Sequence, residues 1–414
     1  MLAYLDHQAT TPCDPAVVAA MAPWWTEQFA NPASRLHRPG LLAAAAVEQA
    51  SARILGQLGL ATGDASGAIR GDLSGDLHGD MGGDPAQPGP SDSAGARLIF
   101  TSGATEANNL ALKGLAEAEL AAGGPRRQLV TLATEHRAVL DPLRYLARHG
   151  FQLSELPVGS DGLVDLGQLE AALGPSTLVV SVMAANNEIG VLQPLAAIGA
   201  LCRQRGIAFH CDGAQAVGHI ALKPADLGID LLSLSGHKFY GPKGSGALAI
   251  TRPLTLAPQL HGGGQQGGLR AGTLGVPLIV GLAAALDLAQ ADRLEREQRL
   301  GALRDQLWQG LAALGGIRLN GAAAPRLAHN LNVCVDGVDG GALHRALRRQ
   351  LAVSGGSACS SGSPSHVLAA LGLDRLEAAA SIRFGLGRST TAAEIGQAIE
   401  AVAEALSQLR GPKG

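Results

Sequence analysis

Polar and ionisable residues recur at one kind of place in this 414-residue sequence, directly after a short apolar run. "RLIF" leads into "TSGATEANN", "QLVTL" into "ATEH", "TLVVSVM" into "AANNEIG", "IAFHC" into "DGAQ" and "LLSL" into "SGHK". A loop that only closes a turn needs none of these Ser, Thr, His, Asn, Asp, Gln and Lys side chains. "TSGAT" passes from a strand into a helix. The unpaired N–H groups of a helical first turn, together with Thr105, suit an anion such as phosphate, although the stretch alone reads first as an ordinary helix cap. Asp212 follows a buried strand, where an unpaired carboxylate is costly, so a cationic partner is expected. Lys238 is one of only five lysines. It stands between a buried strand and a glycine-rich turn, and lysine is rarely buried unless paired; a lysine taken at random would instead reach to the surface.

A phosphate, a ring nitrogen that calls for a carboxylate, and an aldehyde that takes a lysine amine occur together in pyridoxal phosphate. On that reading Asp212 keeps the ring nitrogen protonated and Lys238 holds the aldehyde as a Schiff base. Two glycine motifs point elsewhere and fail. "GHKFYGPKG" is no Walker loop, because Pro242 stands where Lys must follow the second Gly. "GGGQQG" at 262–267 matches G-x-G-x-x-G, yet prolines break the run before it and no good helix starts after it.

The elements that must position these residues are apolar runs alternating with stretches of helical length, the pattern of a mostly parallel α/β sheet covered by helices. Strands are predicted at "RLIF", "QLVTL", "TLVVSVM", "IAFHC", "LLSL" and "GALAI". In such a sheet ligands bind beyond the carboxyl ends of the strands, where the polar residues lie. "RAVLDPLRYLARHG", "DLGQLEAALG" and "PLAAIGALCRQRG" read as helices ending at a left-handed glycine. A long helical stretch is expected from about Val276 to Leu314, followed by a smaller domain with strands "HNLNVCV" and "SIRFGL" and a last helix opened by a Thr391–Glu394 capping box. Residues 61–96, rich in Gly, Asp, Ser and Pro, read as a solvated insertion. The spacing of its aspartates lacks the D-x-D-x-D-G order of a calcium loop.

Composition narrows the class. Lys plus Arg is 32 against 35 for Asp plus Glu, and the net charge of −3 offers no footprint for nucleic acid or an anionic membrane. A small-molecule substrate follows. Five cysteines, odd in number and without a C-x-x-C pair, argue against a disulfide framework or a zinc cage and predict a reducing cytoplasm. No signal peptide opens the chain, and "PLIVGLAAAL" is too short for a membrane span. Cys202 and Cys334 lie in apolar periodic stretches and read as small buried hydrophobes. Cys359 lies in "SGGSACSSGSPS", where Gly and Ser build no core, and reads as an exposed, mobile thiol.

Ten stretches, "YLDHQATTP", "NPASRLHRPG", "FTSGATEANNLALKG", "TEHRAVL", "NNEIG", "DGAQAVG", "SGHKFYGPKG", "HGGGQQGGLRAGT", "GSACSSGSPSHVL" and "SIRFGLGR", occur in an order that resembles the cysteine desulfurases of iron-sulfur cluster assembly, within the class V aminotransferases. The resemblance runs from Tyr4 to about Leu409 and leaves only the 61–96 insertion outside. It implies the fold-type I architecture of pyridoxal phosphate transferases, an α/β fold with a mostly parallel seven-stranded sheet and a smaller α+β domain. The large cofactor-binding domain would span 16–262, and the small domain 1–15 plus 263–414. Lys238 would hold the cofactor and move the substrate's Cα proton, Asp212 would pair with the ring nitrogen, and His136 would lie against the ring. Asn187 and Gln215 would meet the ring hydroxyl. Ala104, Thr105, Ser235 and His237 would take the phosphate, as would Thr273 from the partner subunit of a homodimer. Asn187 and Arg383 would bind the substrate, Arg383 holding its carboxylate through a two-donor fork.

L-cysteine would become L-alanine, leaving a persulfide on Cys359 for a sulfur acceptor such as a cluster scaffold protein. The Cys359 loop is shorter than in typical long-loop members, and the end "LSQLRGPKG" lacks the extended tail with which some relatives dock a scaffold. Selenocysteine lyase or a thiol-independent class V aminotransferase is the neighbouring alternative. A silent binding homologue conflicts with the intact Lys238, Asp212, His136 and Cys359, and a Cys-His hydrolase leaves Asp212 and Lys238 without purpose.

Overall fold

The computed structural model describes residues 2–61, 95–355 and 365–410. Nearly all of the expected insertion, and residues 356–364 with Cys359 among them, lie outside the described residues. Twelve strands are present among the described residues: β1 (Ala3–Tyr4), β2 (Arg97–Thr101), β3 (Gln128–Leu132), β4 (Gln152–Leu156), β5 (Thr177–Ser181), β6 (Ala208–Asp212), β7 (Leu231–Ser235), β8 (Gly246–Ile250), β9 (Ile317–Leu319), β10 (Asn330–Val335), β11 (Leu351–Ala352) and β12 (Ser381–Gly385). Seven of them form one sheet in the order β2-β8-β7-β6-β5-β3-β4. Only β8 runs against its neighbours. The six strands predicted for the parallel sheet are all in it. The seventh, β4, has no continuous apolar run: in "QLSEL" polar residues outnumber apolar ones and the strand is half-buried at the sheet edge, so it escapes a search for buried strands.

The inner strands carry Val, Leu, Ile and Phe on both faces because helices cover both, and β5 to β8 are buried throughout. Gly246 marks the tightest approach beside the site. A Cβ there would lie 2.5 Å from Gly103 Cα, so glycine lets β8 pass the turn that opens the helix Ala104–Ala121. Gly150 (φ +94°) and Gly206 (φ +63°) adopt the expected left-handed conformation after their helices. The helix Leu166–Ala172 instead ends at an extended Leu173 and needs no such glycine.

The expected helical stretch consists of two helices, Val276–Ala291 and Arg293–Ala313, parted at Asp292. The first is apolar around most of its surface and packs on the helix Arg38–Gln57. The second packs on the helix Ala392–Arg410. The chain turns between them where Arg388 Nε meets the Asp292 carboxylate at 3.2 Å. A separate core of Leu331, Val333, Ile382, Phe384, Leu343 and Val402 lies under the antiparallel sheet β12-β10-β9. The capping box forms, with Thr391 N–H on Glu394 Oε2 (2.8 Å) and Glu394 N–H on Thr391 Oγ1 (3.3 Å). Strand β1 pairs with β11, and Asp6 bridges Gly385 of β12. The first residues are thereby tied to the smaller sheet, and Gln8 to Thr10 are led to the carboxyl ends of β6 and β7. Among the described residues no helix is long and apolar enough to cross a membrane, and no group of three or more His, Cys, Asp and Glu could hold a metal ion.

Candidate active site

A cleft of about 450 Å³ opens at these strand ends, within the range of small-ligand sites. Ala104, Thr105, His136, Asn187, Asp212, Gln215, Ser235, His237, Lys238 and Arg383 all line it. Ten of the twelve expected site residues, scattered between Ala104 and Arg383, thus meet in one cavity. Thr273 does not line it and is exposed on this chain. Cys359 lies outside the described residues.

Asp212 ends β6 and is 5% exposed. Its two hydrogen-bond donors are neutral, Asn108 Nδ2 at 2.7 Å and Ala214 N–H at 2.9 Å. They fix the carboxylate's direction without neutralising it, so a cationic ligand group is still called for. Lys238 closes the 3-10 turn Gly236–Lys238 directly after β7. Its Nζ donates to the carbonyls of Gln8 (2.7 Å) and Ala9 (2.9 Å). Two residues on, Tyr240 holds φ at +67°, costing about 1–2 kcal/mol for a non-glycine residue. Three contacts pin it: its N–H donates to Thr11 Oγ1, its carbonyl accepts from Asp14 N–H, and its hydroxyl accepts from Arg388 N–H. The turn that carries Lys238 is therefore rigid.

His136 caps the helix Arg137–Ala147, its Nδ1 accepting from Ala138 N–H at 3.1 Å. That bond leaves the proton on Nε2. Burial holds the imidazole pKa below its ordinary value against the opposing pull of Asp212, so the ring is neutral. The helix Ala104–Ala121 begins at the cleft without any side-chain cap, and the unpaired N–H groups of a helical first turn suit an anion. Glu106 in that turn would repel phosphate, but Arg270 Nε binds it at 2.8 Å. His237 Nδ1 lies 3.0 Å from Thr10 Oγ1, and the exposed Lys243 adds positive charge at the rim.

Arg383 is 2% exposed. Nη1 donates to Asn187 O (2.8 Å) and Nη2 to Asp6 Oδ1 (2.8 Å), so both arms of the expected fork already carry a partner from this chain. Its Nε is buried without a partner, as is Asn187 Oδ1. These orphaned atoms, the uncapped helix and the buried carboxylate fit a phosphorylated pyridine and an amino-acid substrate. Sequence reasoning missed Asn108, Asp6, Lys243 and the Gln8 and Ala9 carbonyls. Asn108 had a signal: it lies four residues after Ala104, on the same helical face.

Three histidines on or behind the site share one feature. Burial lowers His210, His219 and His237 to about 4. Each is neutral when folded but titrates near 6.5 in the unfolded chain, so its contribution is complete above pH 6.5 and lost as pH falls through about 4. The thermal midpoint is expected to fall progressively between those pH values in scanning calorimetry, and a flat profile across that window would contradict it.

The aminotransferase class-V family model matches residues 93–397. A cysteine desulfurase IscS of Dechloromonas aromatica is 42% identical over 411 residues, spanning 98% of this chain and 93% of the relative. That of Tolumonas auensis is 44% identical over 413 residues, with the same coverage. Among solved structures, a NifS-like protein superposes with a TM-score of 0.84 at 32% identity, over 99% of this chain and 100% of the other. Fold, cleft and kinship agree: the chain belongs to the class V aminotransferase family of fold-type I, pyridoxal phosphate-dependent enzymes, among its cysteine desulfurases.

Proposed function

We propose that this cleft removes the sulfur of L-cysteine, releasing L-alanine and leaving the sulfur as a persulfide on Cys359. The observation that carries the reading is the convergence of Lys238 and the buried Asp212 on one cavity that also opens onto an uncapped helix start. Pyridoxal phosphate, when bound, supplies the electron sink that lets a Cα proton leave. The N–H groups of Ala104 and Thr105, with Ser235 and His237, would hold its phosphate, and Asp212 would hold its ring nitrogen. Gln215 and Asn187 would meet its hydroxyl, and His136 would cover its face and exclude water.

The chain's own residues do the rest. Arg383 receives the substrate carboxylate at its unfilled donors. Lys238 Nζ takes the Cα proton, then returns to the Gln8 and Ala9 carbonyls as an ammonium. The Cys359 thiolate attacks the substrate sulfur: an S–S bond forms, the Cβ–S bond breaks, and its electron pair stays on carbon until protonation completes alanine. The persulfide then passes to a thiol-bearing acceptor, such as a cluster scaffold protein, in a reducing cytoplasm. A homodimer places Thr273 of the second copy at the phosphate; the exposed Trp25, Phe29, Leu36, Leu41 and Leu42 offer an apolar surface for that pairing. The proposed division into a unit of 16–262 and one of 1–15 plus 263–414 puts the cleft between the two.

Mass spectrometry after addition of L-cysteine tests the reading. One added sulfur on the Cys359 peptide is expected, and none in Cys359→Ala, which keeps the cofactor's colour but forms no alanine. A fully active Cys359→Ala would overturn the role of that thiol.

A further inference from the structure

Arg383 is a fully buried cation, and such a group needs a counter-charge. The chain brings one from its opposite end, with Asp6 Oδ1 accepting from Nη2 at 2.8 Å. Ser354 Oγ lies 3.1 Å from the same nitrogen and donates to the same carboxylate oxygen at 2.8 Å, closing a triangle. Backbone seats both partners: Asp6 bridges Gly385, and Ser354 bridges Arg383 itself. Asn187 O takes Nη1 from a third direction. A guanidinium has five N–H donors. Three contacts within this chain pin the planar group against rotation, and Nε is left buried and unfilled.

We infer that Asp6, supported by Ser354, is a positioning residue that makes the site select substrates bearing an α-carboxylate, by holding the Arg383 guanidinium at the cleft wall with Nε still unfilled. This rests on Arg383 as the carboxylate binder. Two effects of Asp6 oppose each other. Its negative charge repels an incoming carboxylate, whereas its hydrogen bonds fix the cation that attracts one. Positioning wins because the Asp6 charge is compensated locally by a guanidinium at 2.8 Å and a serine hydroxyl. Without it, a buried and uncompensated Arg383 would turn toward other acceptors.

The test titrates cofactor-loaded Asp6→Asn, Ser354→Ala and Arg383→Gln enzymes with L-alanine and with L-alaninamide, which lacks the carboxylate, following the visible absorption of the bound cofactor. Asp6→Asn is expected to weaken L-alanine by about tenfold or more and to leave alaninamide nearly unchanged. KM for L-cysteine should rise by more than kcat falls. Ser354→Ala should move the same way by a smaller factor, and it carries the test should Asp6→Asn fail to fold. Arg383→Gln must weaken L-alanine selectively; if it does not, the reading of Arg383 itself fails. If it does, while Asp6→Asn and Ser354→Ala leave L-alanine binding unchanged, tighten it, or weaken both ligands equally, the inference about Asp6 is overturned.

Discussion

Replacing Lys238 with alanine is expected to lower alanine production from L-cysteine by about 10⁴-fold, the upper range for losing a positioned acid-base group. On the proposed role of Lys238 the substitution would also remove the covalent attachment of the cofactor, so the visible absorption band should change together with the rate. Folding should survive. Lys238 is only partly buried, and the Gln8 and Ala9 carbonyls that it satisfies lie beside an open cleft where water can replace it. Unfolding curves close to those of the parent would assign the loss to chemistry. Retention of more than about a tenth of the parent rate would remove Lys238 from the reaction.

Asp212→Asn carries the second largest expected effect, a fall in kcat of about 10² to 10³, the cost of deleting one preorganised electrostatic partner of the reacting charge. Size and shape are conserved, and one amide oxygen can still accept from Asn108 Nδ2 or Ala214 N–H, the two donors that hold the aspartate. Cofactor should therefore still bind, more weakly. What the amide cannot do is favour a protonated ring nitrogen, because it carries no negative charge. The expected signature is a large loss of kcat with a modest loss of cofactor affinity, measured by steady-state kinetics and fluorescence titration. A variant with unchanged kcat would show that the ring nitrogen does not depend on this carboxylate.

Much of the site was legible because the sequence concentrates its chemistry where apolar runs stop. Asp212 after "IAFHC" and Lys238 after "LLSLSGH" stood out because each is a costly residue at the edge of a buried strand. The pieces that escaped are of other physical kinds. The carbonyls that receive Lys238 Nζ are backbone atoms, without side-chain identity, and arrive from 230 and 229 positions away. Asn108 is a polar residue inside a helix, and its complete burial is decided by tertiary packing rather than by periodicity. Asp6 reaches Arg383 across 377 positions, through a two-residue strand too short to be read. Strand β4 was hidden by its edge position, and the break at Asp292 by helical patterning that continues on both sides of it. The left-handed Tyr240 had no local sign, since only glycine advertises that conformation. Arg383 and Thr273 entered through family resemblance alone.

One amine, Lys238 Nζ, would hold the cofactor in the cleft that Asp212 also lines. Borohydride reduction of the loaded enzyme followed by peptide mass mapping tests it most directly. A phosphopyridoxyl group on the peptide containing Lys238, and on no other, is the predicted result. A label on Lys113, Lys223, Lys243 or Lys413, or no label at all, would contradict it.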